Sequence, residues 1–188
     1  MRAICSFLVL AACGATAFAR PAQPPQPAPD PVRQKVEAIR ELTRAERWAQ
    51  VDAELAAMAV DDAAWERVAS VIYEAGISRK DLPWVLGSLS RVTESPRPSI
   101  KAAALIVVGR VYRRQGDTAA AARAMEAAKA AAPDTRYAEE AGGLLYEITH
   151  LSPGMPAPAI AAKARNAGTI RLAALRGKPV VLVFWGTT

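Results

Sequence analysis

Thiols and imidazoles are scarce in this chain. Its two cysteines, Cys5 and Cys13, lie close to the N-terminus, and His150 is its single histidine. A zinc site needs roughly three or four ligands, drawn mainly from these residue types. The sequence therefore argues against a zinc site, and after Cys13 it offers no thiol for a disulfide or a nucleophile. We expect neither a metal nor a cofactor.

Other signatures of chemistry are also missing. The sequence contains neither a glycine loop that could cradle phosphate nor the elbow of a serine nucleophile. Its net charge of +6 comes mainly from dispersed arginines, of which Arg110, Arg113 and Arg114 form only a modest local group. A nucleic-acid binder would concentrate such charge on one face, with aromatic residues between. The pattern predicts solvated helix faces and no nucleic-acid partner.

Residues 1–19 have the pattern of a secretory signal peptide. A basic start at Arg2 precedes an apolar stretch that ends in small residues, which predicts cleavage after Ala19. In one alternative, the small residues before Cys13 make that cysteine a lipidation site. In another, the segment stays uncleaved, although about 17 apolar residues is at the lower edge of a membrane span. We expect an exported, periplasmic or extracytoplasmic protein that meets the membrane only if Cys13 is lipidated or the signal is uncleaved.

Residues 20–31 form a proline-dense segment. Proline lacks a backbone N–H, so this stretch favours an extended spacer over a helix or a sheet. It divides the signal from a helical domain at residues 32–150, and residues 151–188 follow as a separate unit. The fold class that we expect is mainly α, followed by the start of an α/β domain.

The region 32–150 is rich in alanine, leucine and arginine, with apolar residues at intervals of three and four. This spacing predicts a series of antiparallel helices. We expect Trp48, Trp65 and Trp84 to lie in its core. The predicted breaks between helices are Asp61-Asp62, Gly76, Asp81-Leu82-Pro83, Pro96-Arg97-Pro98, Gly116-Asp117 and Pro133.

A period of 34 residues relates Gly109 to Gly143 and Tyr112 to Tyr146. Repeats of about this length indicate stacked helix pairs. The segment 102–135 resembles a tetratricopeptide repeat, through Leu105, Val108, Gly109, Tyr112, Ala121, Met125, Ala128 and Pro133. The resemblance implies that a concave face binds peptides or partner proteins. An ordinary helical bundle with a chance match is the alternative.

The other helices match the repeat less well. Residues 64–76 and 80–92 are expected to form an irregular pair, with Tyr73 as the signature tyrosine and Gly76 as the turn glycine. Residues 32–59 would supply another pair, and residues 138–150 a closing helix. We expect the acidic pairs Asp61-Asp62 and Glu139-Glu140 to cap helix starts. His150 is expected to cap a helix end or to lie on the surface.

Residues 154–188 resemble the TlpA-type thioredoxin-like (redoxin) family. The matching segments are Gly154-Met155-Pro156-Ala157-Pro158, Gly168-Thr169-Ile170-Arg171-Leu172 and the run from Leu175 to Thr188. Gly177-Lys178-Pro179 predicts a turn. The apolar run 180–184 that follows predicts a strand buried on both faces.

This resemblance implies an exported thiol-disulfide oxidoreductase that acts on proteins carrying disulfides or thiols. Its active-site lead-in would be Phe184, Trp185, Gly186, Thr187 and Thr188, with Gly186 where alanine is usual and Thr188 where tryptophan is usual. A Cys-x-x-Cys pair would follow Thr188. We therefore expect a truncated and inactive chain with no catalytic residue of its own.

Two other functions compete with this one. The chain could instead be a secreted helical-repeat binding module whose C-terminal segment is vestigial. A peroxiredoxin-like protein would share the Ala-Pro and Gly-Lys-x-Val signals, but it usually lacks the Phe-Trp lead-in. Trp185 therefore argues against the peroxiredoxin-like alternative.

Overall fold

A computed structural model describes residues 30–165 and 168–183. These residues are mainly helical, with a small two-stranded antiparallel sheet after the last helix. The α-helices are α1 Pro31–Arg44, α2 Trp48–Ala57, α3 Trp65–Ser78, α4 Leu82–Leu89, α5 Pro98–Gln115, α6 Thr118–Ala131 and α7 Arg136–His150. A 3₁₀ turn at Val92–Glu94 separates α4 from α5.

Aspartate and proline fix where several helices begin. Asp30, Asp81 and Asp117 each accept a hydrogen bond from a backbone N–H two or three residues later, at 2.8–3.0 Å. Such caps satisfy N–H groups that have no partner inside the helix. Pro31 and Pro98 are the first residues of α1 and α5, where a missing N–H costs nothing. Three of the six predicted breaks fall between helices, and those at Asp81-Leu82-Pro83 and Pro96-Arg97-Pro98 include the first residues of α4 and α5. The exception is Gly76.

The prediction that Gly76 makes a turn is wrong, because α3 continues through it to Ser78. A Cβ on Gly76 would lie 2.1 Å from Val85 Cγ2 on α4. The missing side chain is what allows α4 to pack so closely on α3. The turn itself uses Lys80, which has a φ of 57°, a conformation that sequence patterns do not associate with lysine.

The helices follow one another as three pairs and a closing helix, in agreement with the prediction. The pairs α1–α2, α3–α4 and α5–α6 each pack together, and α7 packs against both α5 and α6. In addition, α1 contacts α3, α3 contacts α5, and α5 contacts α7. The odd-numbered helices α1, α3, α5 and α7 therefore lie side by side along the domain.

Two apolar clusters hold these helices together. The first spans α1 to α5 and contains Trp65, which is fully buried, while Trp48 and Trp84 pack partly buried against it. The prediction that these tryptophans serve the core is confirmed. The second cluster joins α5, α6 and α7 around Met125. A Cβ on Gly109 would lie 2.6 Å from Met125 Cε, so this glycine permits the close contact of α5 and α6.

A short hairpin follows α7. Strand β1 (Ala161–Ala164) pairs antiparallel with β2 (Gly168–Arg171), with Ala161 opposite Arg171. A 3₁₀ turn at Leu172–Leu175 comes next. Gly168 and Gly177 have φ values of 72° and 85°, which glycine adopts without a steric penalty. The predicted turn at Gly177-Lys178-Pro179 is confirmed.

The predicted strand over residues 180–184 is wrong for its described part. Residues 180–183 form no strand, and Val181 is 85% exposed. A strand buried on both faces needs neighbouring strands and covering helices. Among the described residues nothing pairs with this run, so its apolar side chains stay exposed. Phe184 lies outside the described residues.

Candidate functional site

Two adjacent cavities lie along the odd-numbered helices. One, of about 340 Å³, is lined by residues of α1 and α3 and by the turns that follow them, together with Trp48 of α2. The other, of about 300 Å³, is lined by α1, α3, α5 and α7. Arg40, Val71 and Glu74 line both, so the cavities form one concave surface, which we call the odd-helix groove. Its lining includes Arg40, Arg44, Arg67, Ser70, Val71, Glu74, Arg79, Ala103, Ile106, Arg110, Arg136 and Glu140.

The odd-helix groove is polar and carries both signs of charge. Its arginines outnumber its glutamates, the latter being Glu46, Glu66, Glu74 and Glu140. Arg110 forms an ion pair of 2.6 Å with Glu140, which joins α5 to α7. Arg40 is bound by Glu37 of its own helix at 2.9 Å. The ion pair and hydrogen bonds hold these guanidinium groups in place along the groove.

A stack of aromatic and cationic side chains forms one end of the groove. The guanidinium carbon of Arg79 lies 4.6 Å from the ring of Trp48 and 4.7 Å from that of Trp84. Asp81 pairs with Arg79 at 3.2 Å, and Asp52 accepts a 2.7 Å hydrogen bond from Trp84 Nε1. Nη1 of Arg79 is buried, and no group of the described residues accepts a hydrogen bond from it. The indole faces attract this cation instead and fix the side chain.

A hydrogen-bonded network around Glu66 forms the opposite end. Ser99 of α5 donates to Glu66 Oε1 and Tyr137 of α7 donates to Oε2, each at 2.7 Å. Arg136 donates to the Tyr137 hydroxyl at 2.7 Å and lies 3.8 Å from Glu66. One carboxylate on α3 thus binds side chains of both α5 and α7.

These contacts shift the pKa values of Glu66 and Tyr137. Burial alone would raise the pKa of Glu66, but hydrogen bonds from Ser99 and Tyr137 and the charge of Arg136 outweigh it, so the pKa is lowered. Burial, and then the hydrogen bond to Glu66, raises the pKa of Tyr137. Near neutral pH the network therefore holds an ionised carboxylate and a neutral phenol.

Replacing Glu66 by glutamine should make stability less sensitive to acid. Because the folded-state pKa of Glu66 is depressed, its contribution is present above the ordinary value of 4.5 and is lost as pH falls through the lower folded value. We expect Glu66→Gln to cost about 1.5 kcal/mol at pH 7, at the low end of the range for hydrogen bonds to a charged group. The difference should shrink as the pH falls below 4.5. Urea unfolding between pH 3 and pH 7 measures this, and an equal loss at every pH would contradict it.

The structure places the predicted caps and the histidine as follows. Asp62 accepts a 2.9 Å hydrogen bond from the backbone N–H of Ala64 before α3 and forms an ion pair with Lys35. Glu139 lies in the first turn of α7. His150 is the last residue of α7, exposed, with its ring stacked on Tyr146 at 4.4 Å. The described residues contain no cluster of three or more acidic, histidine or cysteine side chains placed for a metal.

The groove and the network were not predicted from the sequence. One signal was available, since Glu66, Ser70 and Glu74 recur every four residues and so share a face of α3. That spacing does not reveal which helices lie opposite. Tyr137 is 71 positions from Glu66, and the packing of α3 against α5 and of α5 against α7 brings the two together.

Several candidate residues from the sequence, for lipidation and for the redoxin active site, lie outside the part of the chain that the structure describes. Cys13 and the lead-in Phe184, Trp185, Gly186, Thr187 and Thr188 lie outside the described residues. Within residues 30–165 and 168–183, no helix is both long and apolar enough to cross a membrane. A scan of protein-family models, a search of curated proteins and a search of solved structures each found no match to this chain.

Proposed function

We propose that the helical domain is a protein-binding module of tetratricopeptide-like architecture that takes a peptide segment of its partner in the odd-helix groove. The observation that carries the proposal is the continuity of the groove across α1, α3, α5 and α7 through Arg40, Val71 and Glu74. Stacked helix pairs create extended concave surfaces of this kind, which such proteins use for binding.

The chemistry of the groove suits a peptide. Guanidinium groups such as those of Arg67 and Arg110 can donate hydrogen bonds to backbone carbonyls and to carboxylates. Ser70 and Glu74 can accept from backbone N–H groups. Val71, which is 6% exposed, provides an apolar floor between them. The stack around Arg79 and the network around Glu66 keep both ends rigid, so binding would cost little side-chain entropy.

A bulky residue in the groove should abolish this binding. Ser70 is exposed, lies on α3 and lines the groove, so Ser70→Trp fills it without entering the core. Peptides selected from a random library against the full chain would be titrated by fluorescence anisotropy. We expect Ser70→Trp to weaken their binding at least about tenfold, or about 1.4 kcal/mol.

The matched control is Ser88→Trp. Ser88 lies on α4 beside Gly87 and lines a small cavity between α2 and α4, away from the odd-helix groove. This variant should bind the selected peptides as the unchanged chain does. Failure to select any peptide, or a loss with Ser88→Trp and none with Ser70→Trp, would contradict the proposed function.

A second candidate is the thiol-disulfide oxidoreductase implied by residues 154–188. It is supported by the hairpin of β1 and β2 and by the positive φ angles of Gly168 and Gly177, the two glycines at which the redoxin pattern has its turns. In this candidate the helical domain would bind the partner protein, and a cysteine pair after Thr188 would exchange disulfides with it outside the cytoplasm.

Intact-mass measurement of the protein from its native source, with tandem sequencing of its C-terminus, tests this second candidate. A chain that continues after Thr188 into Cys-x-x-Cys would support it. A product without any cysteine after Cys13 would contradict it, because thiol exchange requires a thiolate.

A further inference from the structure

One face of α7 carries a stripe of four exposed residues. Glu139, Gly143, Tyr146 and His150 are spaced by four, three and four positions and so lie on the same side of the helix. Tyr146 is 48% exposed, unusually open for an aromatic ring on a packed domain. We call these four residues the α7 stripe.

Two other odd-numbered helices have a glycine at the position that Gly143 occupies on α7. Gly76 of α3, Gly109 of α5 and Gly143 of α7 are 33 and 34 residues apart. A Cβ at Gly76 would meet Val85 of α4, and a Cβ at Gly109 would meet Met125 of α6. At Gly143 nothing lies within 4 Å. The place where a second helix packs on α3 and α5 is therefore open on α7 among the described residues.

The residues at the two ends of the α7 stripe, Glu139 and His150, restrict which kind of helix can pack on it. One period earlier, Leu105 and Gly116 occupy the places of Glu139 and His150. The α7 stripe has thus replaced an aliphatic side chain and a turn glycine with a carboxylate and an imidazole. An apolar helix like α6 would bury these two polar groups unpaired, at a cost. The occupant must offer a complementary charge or hydrogen bond at each end.

We propose that the occupant is α7 of a second copy of this chain, packed antiparallel across a two-fold axis. An axis that sets Gly143 opposite the partner subunit's Tyr146 also sets Glu139 opposite the partner subunit's His150, because both pairs share one midpoint. The stripe is therefore complementary to itself, as the isologous interface of a symmetric dimer requires.

Shape and polarity agree with this arrangement. Glycine leaves room for an aromatic ring to pack against the helix backbone. The ring of Tyr146 is already held against His150, with an angle of 13° between the rings. Nδ1 of His150 lies 2.7 Å from Thr149 Oγ1, so Nε2 is the nitrogen left to face a carboxylate. A single helix pair covers less than a standard interface of about 1,600 Å², and the dimer should accordingly be weak and reversible.

Sedimentation equilibrium of the full chain over a range of concentrations tests the proposal. We expect a monomer–dimer equilibrium whose dissociation constant rises at least about tenfold in Gly143→Gln. No atom of the described residues lies within 4 Å of a Cβ at Gly143, so this variant should keep its fold. Gly87→Gln on α4, where a Cβ is equally unobstructed, is the matched control and should associate as the unchanged chain does. A chain that is monomeric throughout, as a simple polar cap would be, overturns the proposal.

A charge exchange gives a second test. Glu139→Lys should weaken the dimer, and adding His150→Glu should restore it, because each lysine then faces the partner subunit's glutamate. Association that responds to neither change overturns the proposal and points to another contact surface. The dimer does not involve the odd-helix groove, so Ser70→Trp should leave dimerisation unchanged. Failure of the dimer proposal can therefore be told apart from failure of the proposed peptide binding.

Discussion

Replacing Gly76 with alanine is expected to lower the free energy of unfolding by about 2 kcal/mol. The new Cβ would lie 2.1 Å from Val85 Cγ2 and 3.3 Å from the carbonyl oxygen of Asp81. Valine is stiff about χ1 and cannot rotate away freely, so α4 must shift. Overpacking of this kind costs about 1–3 kcal/mol or more, and the better helix propensity of alanine returns about 1 kcal/mol. Urea unfolding followed by circular dichroism measures the change.

The same substitution at Gly143 should raise the free energy of unfolding instead of lowering it. No atom in the described part of the chain would meet the new Cβ there, so Gly143→Ala should gain up to about 1 kcal/mol from helix propensity alone, measured at low protein concentration. The double variant Gly76→Ala with Val85→Ala should lose less stability than the sum of the two single losses, because removing the overlapping methyl groups relieves the clash. Equal effects at the two glycines would contradict the role of Gly76 in close helix packing.

Removing the indole of Trp65 is expected to have the largest effect on stability. Trp65 is fully buried in the cluster that joins α1 to α5, and its Nε1 donates a 2.9 Å hydrogen bond to the carbonyl of Ala59. Trp65→Ala would leave a cavity and remove the side-chain hydrogen bond to the carbonyl of Ala59, which would keep only the bond from the backbone N–H of Asp62. Substitutions of this kind cost about 3–5 kcal/mol, a large part of the total of about 5–15 kcal/mol for a typical domain.

Two controls define the origin of that loss. Trp65→Phe keeps most of the buried area and should cost less than the alanine variant, since only the hydrogen bond and part of the ring are lost. Trp84→Ala should also cost less, because Trp84 is partly exposed. The midpoint of urea unfolding reports all three variants. A loss of less than about 1 kcal/mol for Trp65→Ala would show that Trp65 is not central to the core.

The helices were predictable because their signals are local. Apolar spacing locates each helix, and proline or aspartate at its first turn fixes where it begins, as at Pro98 and Asp117. Gly76 was misassigned because glycine gives the same signal for two reasons, a left-handed turn or the close approach of a second helix. Only the packed structure separates them, since Gly116 has a φ of 84° and Gly76 lies within regular helix.

The candidate site could not be predicted from sequence patterns within single helices. The odd-helix groove combines Arg40 of α1 with Arg136 of α7, nearly one hundred residues later. Which polar residues face each other depends on how the helix pairs stack, and no pattern within one helix contains that information. The predicted strand over the exposed run 180–183 was wrong for a related reason. Its apolar sequence favours a buried strand, but a strand forms only where other strands pair with it.

Chemical-shift changes on adding a selected peptide to the isotope-labelled chain test the proposed groove most directly. Our account predicts that the largest changes map to backbone amides of Ser70, Glu74 and Arg110, which line the odd-helix groove. Amides of Gly87 and Ser88, on the side of α2 and α4, should stay unchanged. Changes confined to that second side, with none along α3 and α5, would contradict the assignment of the binding site.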